Sequence, residues 1–398
     1  MASLACEPAK VSRMNGVQVF LLGLLAFWGL LYLISRVFHL ERYGLEVKPA
    51  YLMYKSKGLK RALEVLPEKG RVLWWTLCNA GLLLAAALMV FVVYFLSDNL
   101  LRITRAQTAV GGVFLILPGI TIRLRWLPYF FVAAAIIVMT HEMAHGFVAQ
   151  LEKISVKSAG VLLAVILLGG FVELDEEEFE KAPTLTKLRL LSAGPSTNLV
   201  TWLLALLLLT NLYAPASGIL ILGTVEGKPL EQAGLQRWDI IYKMNGTETL
   251  NVTALQSYME NNVTANDTLI LETSKGNITI TTVADPKNAS RAILGLLPVA
   301  EWGYWNYYPC RLGPGQFVAF HYHFYTSLEW IQLLAFGVSI FAMLPAYPFD
   351  GERFLYYILK GRMKRGLRGV RIAISAACWF LMAANLGLTF IRYGLVFF

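Results

Sequence analysis

His141, Glu142 and His145 form a His-Glu-x-x-His pattern inside the stretch 129–151, YFFVAAAIIVMTHEMAHGFVAQL. Two histidines four residues apart lie on one helical face, so both imidazoles can reach one metal ion. Glu142 lies beside the first of them, placed to take a proton from an attacking water. On a polar helix such a pattern arises readily by chance. Here it sits in a run apolar and long enough to cross a bilayer, since about 20 residues at ~1.5 Å rise match a ~30 Å hydrocarbon core. Two imidazoles and a carboxylate are costly in lipid and mark a functional interior face. The residue types therefore point to a zinc site inside a membrane. A hydrolytic zinc centre needs three protein ligands and one open position, so a third ligand must come from another element at the same depth.

The elements that must position these residues are read from the whole chain. Of its 398 residues 57% are hydrophobic and only 15% charged, which marks a polytopic α-helical membrane protein and excludes a soluble domain. The net charge of +9 does not indicate a nucleic-acid partner, because the basic residues cluster beside apolar runs as membrane anchors. Cys6, Cys78, Cys310 and Cys378 are scattered without a CxxC pair, so neither a disulfide framework nor a cysteine metal site is expected. The first apolar run, about 17–38, is too long for a signal-peptide core and is read as a retained helix.

After it comes a basic connector with Arg36, Arg42, Lys48, Lys55, Lys57, Lys60, Arg61, Lys69 and Arg71, which the positive-inside rule puts in the cytoplasm. A second span, about 72–96, returns outward. The run AVGGVFLILPGITI (109–122) is short and broken by glycines and a proline, so it is expected to dip into the membrane without crossing it. The His-Glu-x-x-His helix then runs inward, leaving both histidines toward the cytoplasmic leaflet. SAGVLLAVILLGGFVEL (158–174), interrupted at Gly169-Gly170, is expected to be re-entrant. Further spans follow at about 187–212, with Ala193-Gly194-Pro195-Ser196-Thr197-Asn198 in its first half, at about 327–349 and at about 371–395. The fold class that results is about six transmembrane helices with re-entrant or β-hairpin segments, plus one small α+β domain.

Its organisation reads as 1–128, N-terminal helices, connector and dipping segment; 129–213, first part of the membrane core; 214–299, a polar domain; 300–326, an aromatic interfacial segment; and 327–398, second part of the core. Residues 214–299 are strand-rich with turn signals at Asn245-Gly246 and Lys275-Gly276. All six Asn-x-Ser/Thr sequons, at Asn245, Asn251, Asn262, Asn266, Asn277 and Asn288, fall there, which favours a non-cytoplasmic face. His321 and His323 alternate as in a strand or loop and make weak extra ligands. Asp350, between Pro348 and Gly351, ends an inward span as the histidine helix does. An acid there suits a helix breaker at the membrane surface equally well; the shared depth favours a ligand.

Several segments together resemble the site-2 protease family of intramembrane zinc metalloproteases. They are LPGITIRLRWLPYFF, the HEMAHG helix, GGFVELDEEEF followed by LTKLRLLSAGPSTN, and LPAYPFDG, over about 115–212 and 327–355. The LPGITI and GGFVEL flanks look closer to the animal-type branch. GILILGTVEGKPLEQAGLQRWDIIYKMNGTETL resembles a PDZ domain, with Trp238 where a glycine usually precedes the aspartate, so that turn is expected to be distorted. The family resemblance implies Zn2+ held by His141, His145 and Asp350, with Glu142 as general base. It implies substrates that are single-span transmembrane proteins, already trimmed and cut within the lipid bilayer. A PDZ peptide ligand would bind by strand addition. The family's asparagine, eight residues before the ligand aspartate, is Ala342 here; Asn198 is the candidate to take over its contact with the substrate backbone, and Gly169 and Gly170 are candidates to line the substrate. The charge distribution places the active site toward the cytoplasmic leaflet, and charge and sequons together place the PDZ-like domain on the opposite side. The alternatives are a catalytically silent PDZ-bearing membrane scaffold, which the intact Glu142 and Asp350 disfavour, a zincin with a soluble catalytic dome, and a transporter, which lacks a paired internal repeat.

Overall fold

The computed structural model describes residues 16–49, 51–65, 70–105, 113–114, 116, 121–165, 167–286, 288–298, 303–313, 315–363 and 365–394. In chain order the elements are α1 (Gly16–Phe38), β1 (Leu45–Lys48), β2 (Tyr51–Lys55), α2 (Lys57–Val65), α3 (Arg71–Thr104), α4 (Leu127–Leu151), β3 (Val156–Ala164), β4 (Leu167–Leu174), α5 (Glu176–Lys181) and α6 (Thr184–Leu212). There follow β5 (Ile219–Ile221), α7 (Pro229–Gln232), β6 (Ile240–Met244), β7 (Thr247–Glu248), α8 (Val252–Asn262), β8 (Thr268–Thr273), β9 (Gly276–Thr281), β10 (Val283–Asp285), β11 (Asn288–Ile293), β12 (Tyr304–Asn306), α9 (Val318–Ala342), α10 (Asp350–Lys360) and α11 (Leu367–Tyr393). Two compact units emerge, the first from residues 1–203 and 330–398 and the second from 204–329.

Among the described residues α3, α4, α6, α9 and α11 supply the five helices long and apolar enough to cross a membrane; the apolar run in α1, Leu22–Phe38, is shorter. Five such helices stand among the described residues where the sequence predicts about six. One stripe of α3, Ala85, Leu88, Val92 and Leu96, is spaced three to four residues apart and enters the core. At its end Asn99 donates to Asn385 of α11 at 2.8 Å, and Asn385 donates to the Leu96 carbonyl at 2.9 Å. Pro128 sits in the first turn of α4, where a missing N–H is harmless. Asp175 caps α5 by accepting from the Glu177 and Glu178 N–H groups.

The segment expected to be re-entrant is a hairpin, β3 to β4, in a four-stranded antiparallel sheet of order β1-β2-β3-β4. Its inner partners come from the basic connector, which holds two strands that the sequence reading does not foresee. Leu52 pairs Leu163 and Tyr54 pairs Val161 across β2 and β3. β4 is the outer strand, paired on one side only among the described strands. Trp28 of α1 donates from Nε1 to the Val165 carbonyl at the hairpin turn, 2.8 Å away. The dipping run 109–122 lies mostly outside the described residues.

α9 begins at Val318 and ends at Ala342, both earlier than the predicted 327–349, so His321 and His323 are helical and not in a strand or loop. A turn through Met343–Phe349 then reverses into α10. Gly351 is required there: a Cβ would meet the carbonyl oxygens of Met343 and Leu344, the latter at 2.6 Å. α11 holds this turn, with the Tyr347 N–H donating to Ser375 Oγ at 2.9 Å and Trp379 Nε1 to the Tyr347 carbonyl at 2.9 Å. The buried Glu352 takes Arg371 Nε at 2.6 Å. On its other side α10 meets α5, where Tyr357 donates to Glu180 and Lys360 pairs with the same carboxylate at 3.5 Å. That tyrosine hydrogen bond, ahead of the opposing effect of burial and helped by Lys187 and Lys360, holds the Glu180 carboxyl below its ordinary range.

The second unit is α+β. Its six-stranded sheet runs β12-β5-β6-β8-β9 with β7 on β6, and β10 and β11 form a separate hairpin. Ile219, Ile221, Leu230, Met244, Leu255 and Leu271 are among its fully apolar core. The Asn-Gly turn predicted at 245–246 joins β6 to β7 with both residues at positive φ, 48° and 77°, the conformation a two-residue hairpin needs. Trp238, where a glycine was expected, takes φ 80°. It is held by Tyr322 and His323, both with ring centroids 5.6 Å away, and by Arg237 over its face.

Candidate metal centre

α4 and α6 build the site as an antiparallel pair. On α4, His141 and His145 share a face, with ring centroids 4.8 Å apart. On α6, Leu190, Gly194 and Asn198 are spaced by four and form the facing stripe. The pairing follows the antiparallel sense. The Leu190 carbonyl lies 2.8 Å from His145 Nδ1, and Asn198 Nδ2 lies 2.9 Å from His141 Nδ1. Pro195 cannot donate to the carbonyl four residues before it, so the ladder of α6 is open at this turn. Ser339 of α9 donates to the Pro195 carbonyl at 2.8 Å and ties a third helix to the same place.

Beyond the site a buried ion pair sets the register of the two helices. Arg189, adjacent to Leu190, donates to Glu152 at 2.8 Å, with side-chain exposures of 4% and 8%. Asn79 Oδ1 accepts from Arg189 Nε at 2.9 Å, the Trp75 ring lies 3.6 Å beneath the guanidinium, and Thr186 donates to the second Glu152 oxygen at 2.8 Å. Each charge is paired and hydrogen-bonded. Removing one partner alone would leave a buried charge uncompensated, a cost of about 3–5 kcal/mol.

Asp350 comes to the two histidines from the first turn of α10. Its Oδ2 is 3.2 Å from His141 Nε2 and 3.6 Å from His145 Nε2. One ligand-type atom from each of the three residues lies within 4.8 Å of the others, a group that could hold a metal ion.

Two observations test whether a metal fits. His145 faces a carbonyl, which can only accept, so its ring proton is on Nδ1 and Nε2 offers a lone pair toward the other two side chains. Space is also kept open: a Cβ on Gly194 would lie 2.5 Å from His145 Nε2 and closer still to His141 Nε2. Two imidazoles and a carboxylate make the donor set of a zinc site with a fourth position free.

β4 completes the surroundings. A Cβ on Gly170 would lie 2.9 Å from Glu142 Cγ and 3.1 Å from Val138 Cγ1, so the strand backbone passes directly over Glu142. Gly169 meets only ordinary contacts, at 3.5 Å or more. Sequence reasoning brings His141, His145, Glu142 and Asp350 forward and names Gly194 only as part of the run 193–198. It does not find the Leu190 carbonyl. The four-residue spacing of 190, 194 and 198, matched to that of 141 and 145, is the signal that could have paired the helices.

A model of peptidase family M50 matches residues 129–384. The chain is 26% identical over 346 residues to an uncharacterised protein of Methanocaldococcus jannaschii, covering 85% of each. It is 26% identical over 216 residues to a membrane-bound transcription factor site-2 protease homolog of Arabidopsis thaliana, covering 50% of this chain and 41% of that one. With a candidate zinc metalloprotease of Thermotoga maritima the identity is 25% over 185 residues, 38% of this chain and 36% of that one. The chain thus spans less than half the length of the two relatives that are named for an activity.

Proposed function

The chain belongs to peptidase family M50, the site-2 protease family, and from that premise we propose that it hydrolyses peptide bonds within the transmembrane helices of single-span proteins already trimmed by an earlier protease. Membership implies a metalloprotease of the site-2 type, and five helices long and apolar enough to cross a membrane accord with a multi-pass membrane protein. The observation that carries the proposal is the convergence of His141, His145 and Asp350 beside Glu142, around space that Gly194 leaves free.

His141, His145 and Asp350 would hold zinc, which when bound supplies Lewis acidity, polarising the scissile carbonyl and lowering the pKa of a water toward ~7. Glu142 takes the proton of the attacking water and returns it to the leaving amine nitrogen. A substrate helix protects its own backbone, so it must unwind before it can be cut. The outer edge of β4 has backbone groups to offer such a segment, which adds as a further strand beside Glu142. Gly170 lets that edge approach the general base. Unit 204–329 would serve as a PDZ-like filter or tether for the trimmed end, on the non-cytoplasmic side that its sequons favour. The basic connector and the arginines after Asp350 favour a metal centre toward the cytoplasmic leaflet.

Zinc content and cleavage of one reconstituted substrate, wild type beside Glu142→Gln, test this reading. We expect Glu142→Gln to retain zinc and lose turnover. Wild-type protein without zinc, or a glutamine variant that still cuts, overturns it.

A further inference from the structure

The two histidines do not have equivalent partners. His145 Nδ1 faces the Leu190 carbonyl, which fixes its proton. His141 Nδ1 faces the side-chain amide of Asn198 at 2.9 Å, and an amide offers either a donor or an acceptor according to which end is turned to the ring. With the NH2 end inward, the ring proton moves to Nε2, which then donates to Asp350 and has no lone pair for a metal. With the oxygen end inward, Asn198 does for His141 what the Leu190 carbonyl does for His145. Asn198 is fully buried, and among the described residues its Oδ1 has no hydrogen-bond partner. The imidazole is therefore the one hydrogen-bond partner of this amide among the described residues. Packing does not explain a buried amide held by a single bond, whereas a ligand that needs its tautomer set does.

Resting on the reading of this centre as a zinc site, we propose that Asn198 is a positioning residue for His141: its side-chain oxygen accepts the Nδ1 proton and turns the Nε2 lone pair toward the metal. This differs from a role in holding the substrate backbone, for which the amide would have to face the substrate. The pair Leu190–His145 and Asn198–His141 then gives each imidazole an acceptor from α6, one from the main chain and one from a side chain.

The test is zinc affinity of the full-length protein in detergent, measured by competition with a chelator, without any substrate. Asn198→Ala should weaken zinc binding by about 10–100-fold, the usual effect of losing such an outer partner. Asn198→Asp, which can only accept, should bind zinc at least as tightly as wild type. In a His141→Ala background, Asn198→Ala should cause no further loss. An alanine variant with wild-type affinity overturns the proposal, as does an aspartate variant that binds more weakly than wild type. If the alanine variant does not fold, the aspartate variant decides alone. Wild-type protein that binds no zinc, or His141→Ala that binds it unchanged, would instead overturn the reading of the metal centre itself.

Discussion

Glycines at the metal centre and glycines in unit 204–329 are there for opposite reasons. Gly194 and Gly170 have ordinary backbone angles, and a side chain at either would collide with His141 and His145 or with Glu142. Gly246 has open space around it but sits at φ 77°, where a side chain clashes with its own main chain. The first kind keeps room for chemistry between neighbouring elements. The second shapes a turn. The same letter in the sequence therefore fails in different ways when replaced, and that difference can be measured.

The largest effect is expected at Gly194→Ala. Its methyl group would fill the space between the two Nε2 atoms, and zinc affinity should fall by more than the ~100-fold that a lost outer partner costs. A chelator titration checks it, and an unchanged affinity would show that the gap is not the metal position. Next is Gly170→Ala, which must push β4 away from Glu142 and should cost on the order of 100-fold in turnover, as misplacement by about 1 Å does. Gly169→Ala meets its nearest atom at 3.5 Å, against 2.9 Å for Gly170→Ala, and should cut nearly as well as wild type. Equal losses at 169 and 170 in a cleavage assay would break the distinction.

In unit 204–329, Gly246→Ala should cost about 1–2 kcal/mol of stability through its left-handed backbone, and Gly246→Asn less, with zinc affinity unchanged in both. Thermal melts of the full chain beside zinc titrations separate the two readouts. The smallest effect is expected at Trp238→Gly. Relief of the φ 80° strain is offset by lost aromatic contacts of about 0.5–1.5 kcal/mol, so stability should shift by about 1 kcal/mol or less.

What was legible in the sequence tracks how local the signal is. His141 and His145 need only helical periodicity to share a face, and Asn245-Gly246 needs only its own two residues to turn. The hairpin β3–β4 was harder, because SAGVLLAVILLGGFVEL is a continuous apolar run and such runs do not separate a buried strand from other buried backbone by periodicity. β1 and β2 were hidden by charge: Lys48 and Lys55 read as membrane anchors, yet they end strands, the second of which pairs with β3 more than a hundred residues on. The start of α9 was missed because Phe320–Tyr325 is aromatic and reads as an interfacial belt, while its backbone already continues the helix. Asn198 was noticed for the motif that contains it; only its distance to His141 shows what it touches.

The order of the chain has a consequence for how the centre is assembled in the cell. His141 and Asp350 are separated by 209 residues, with the whole of unit 204–329 between them. At about 5–20 residues per second of synthesis, the aspartate follows the first histidine by roughly 10–40 s. During that interval the nascent protein has both imidazoles and their α6 partners but no carboxylate to complete the set. Completion of the His-His-Asp donor set is thus a late event in biogenesis, after the intervening domain has left the ribosome.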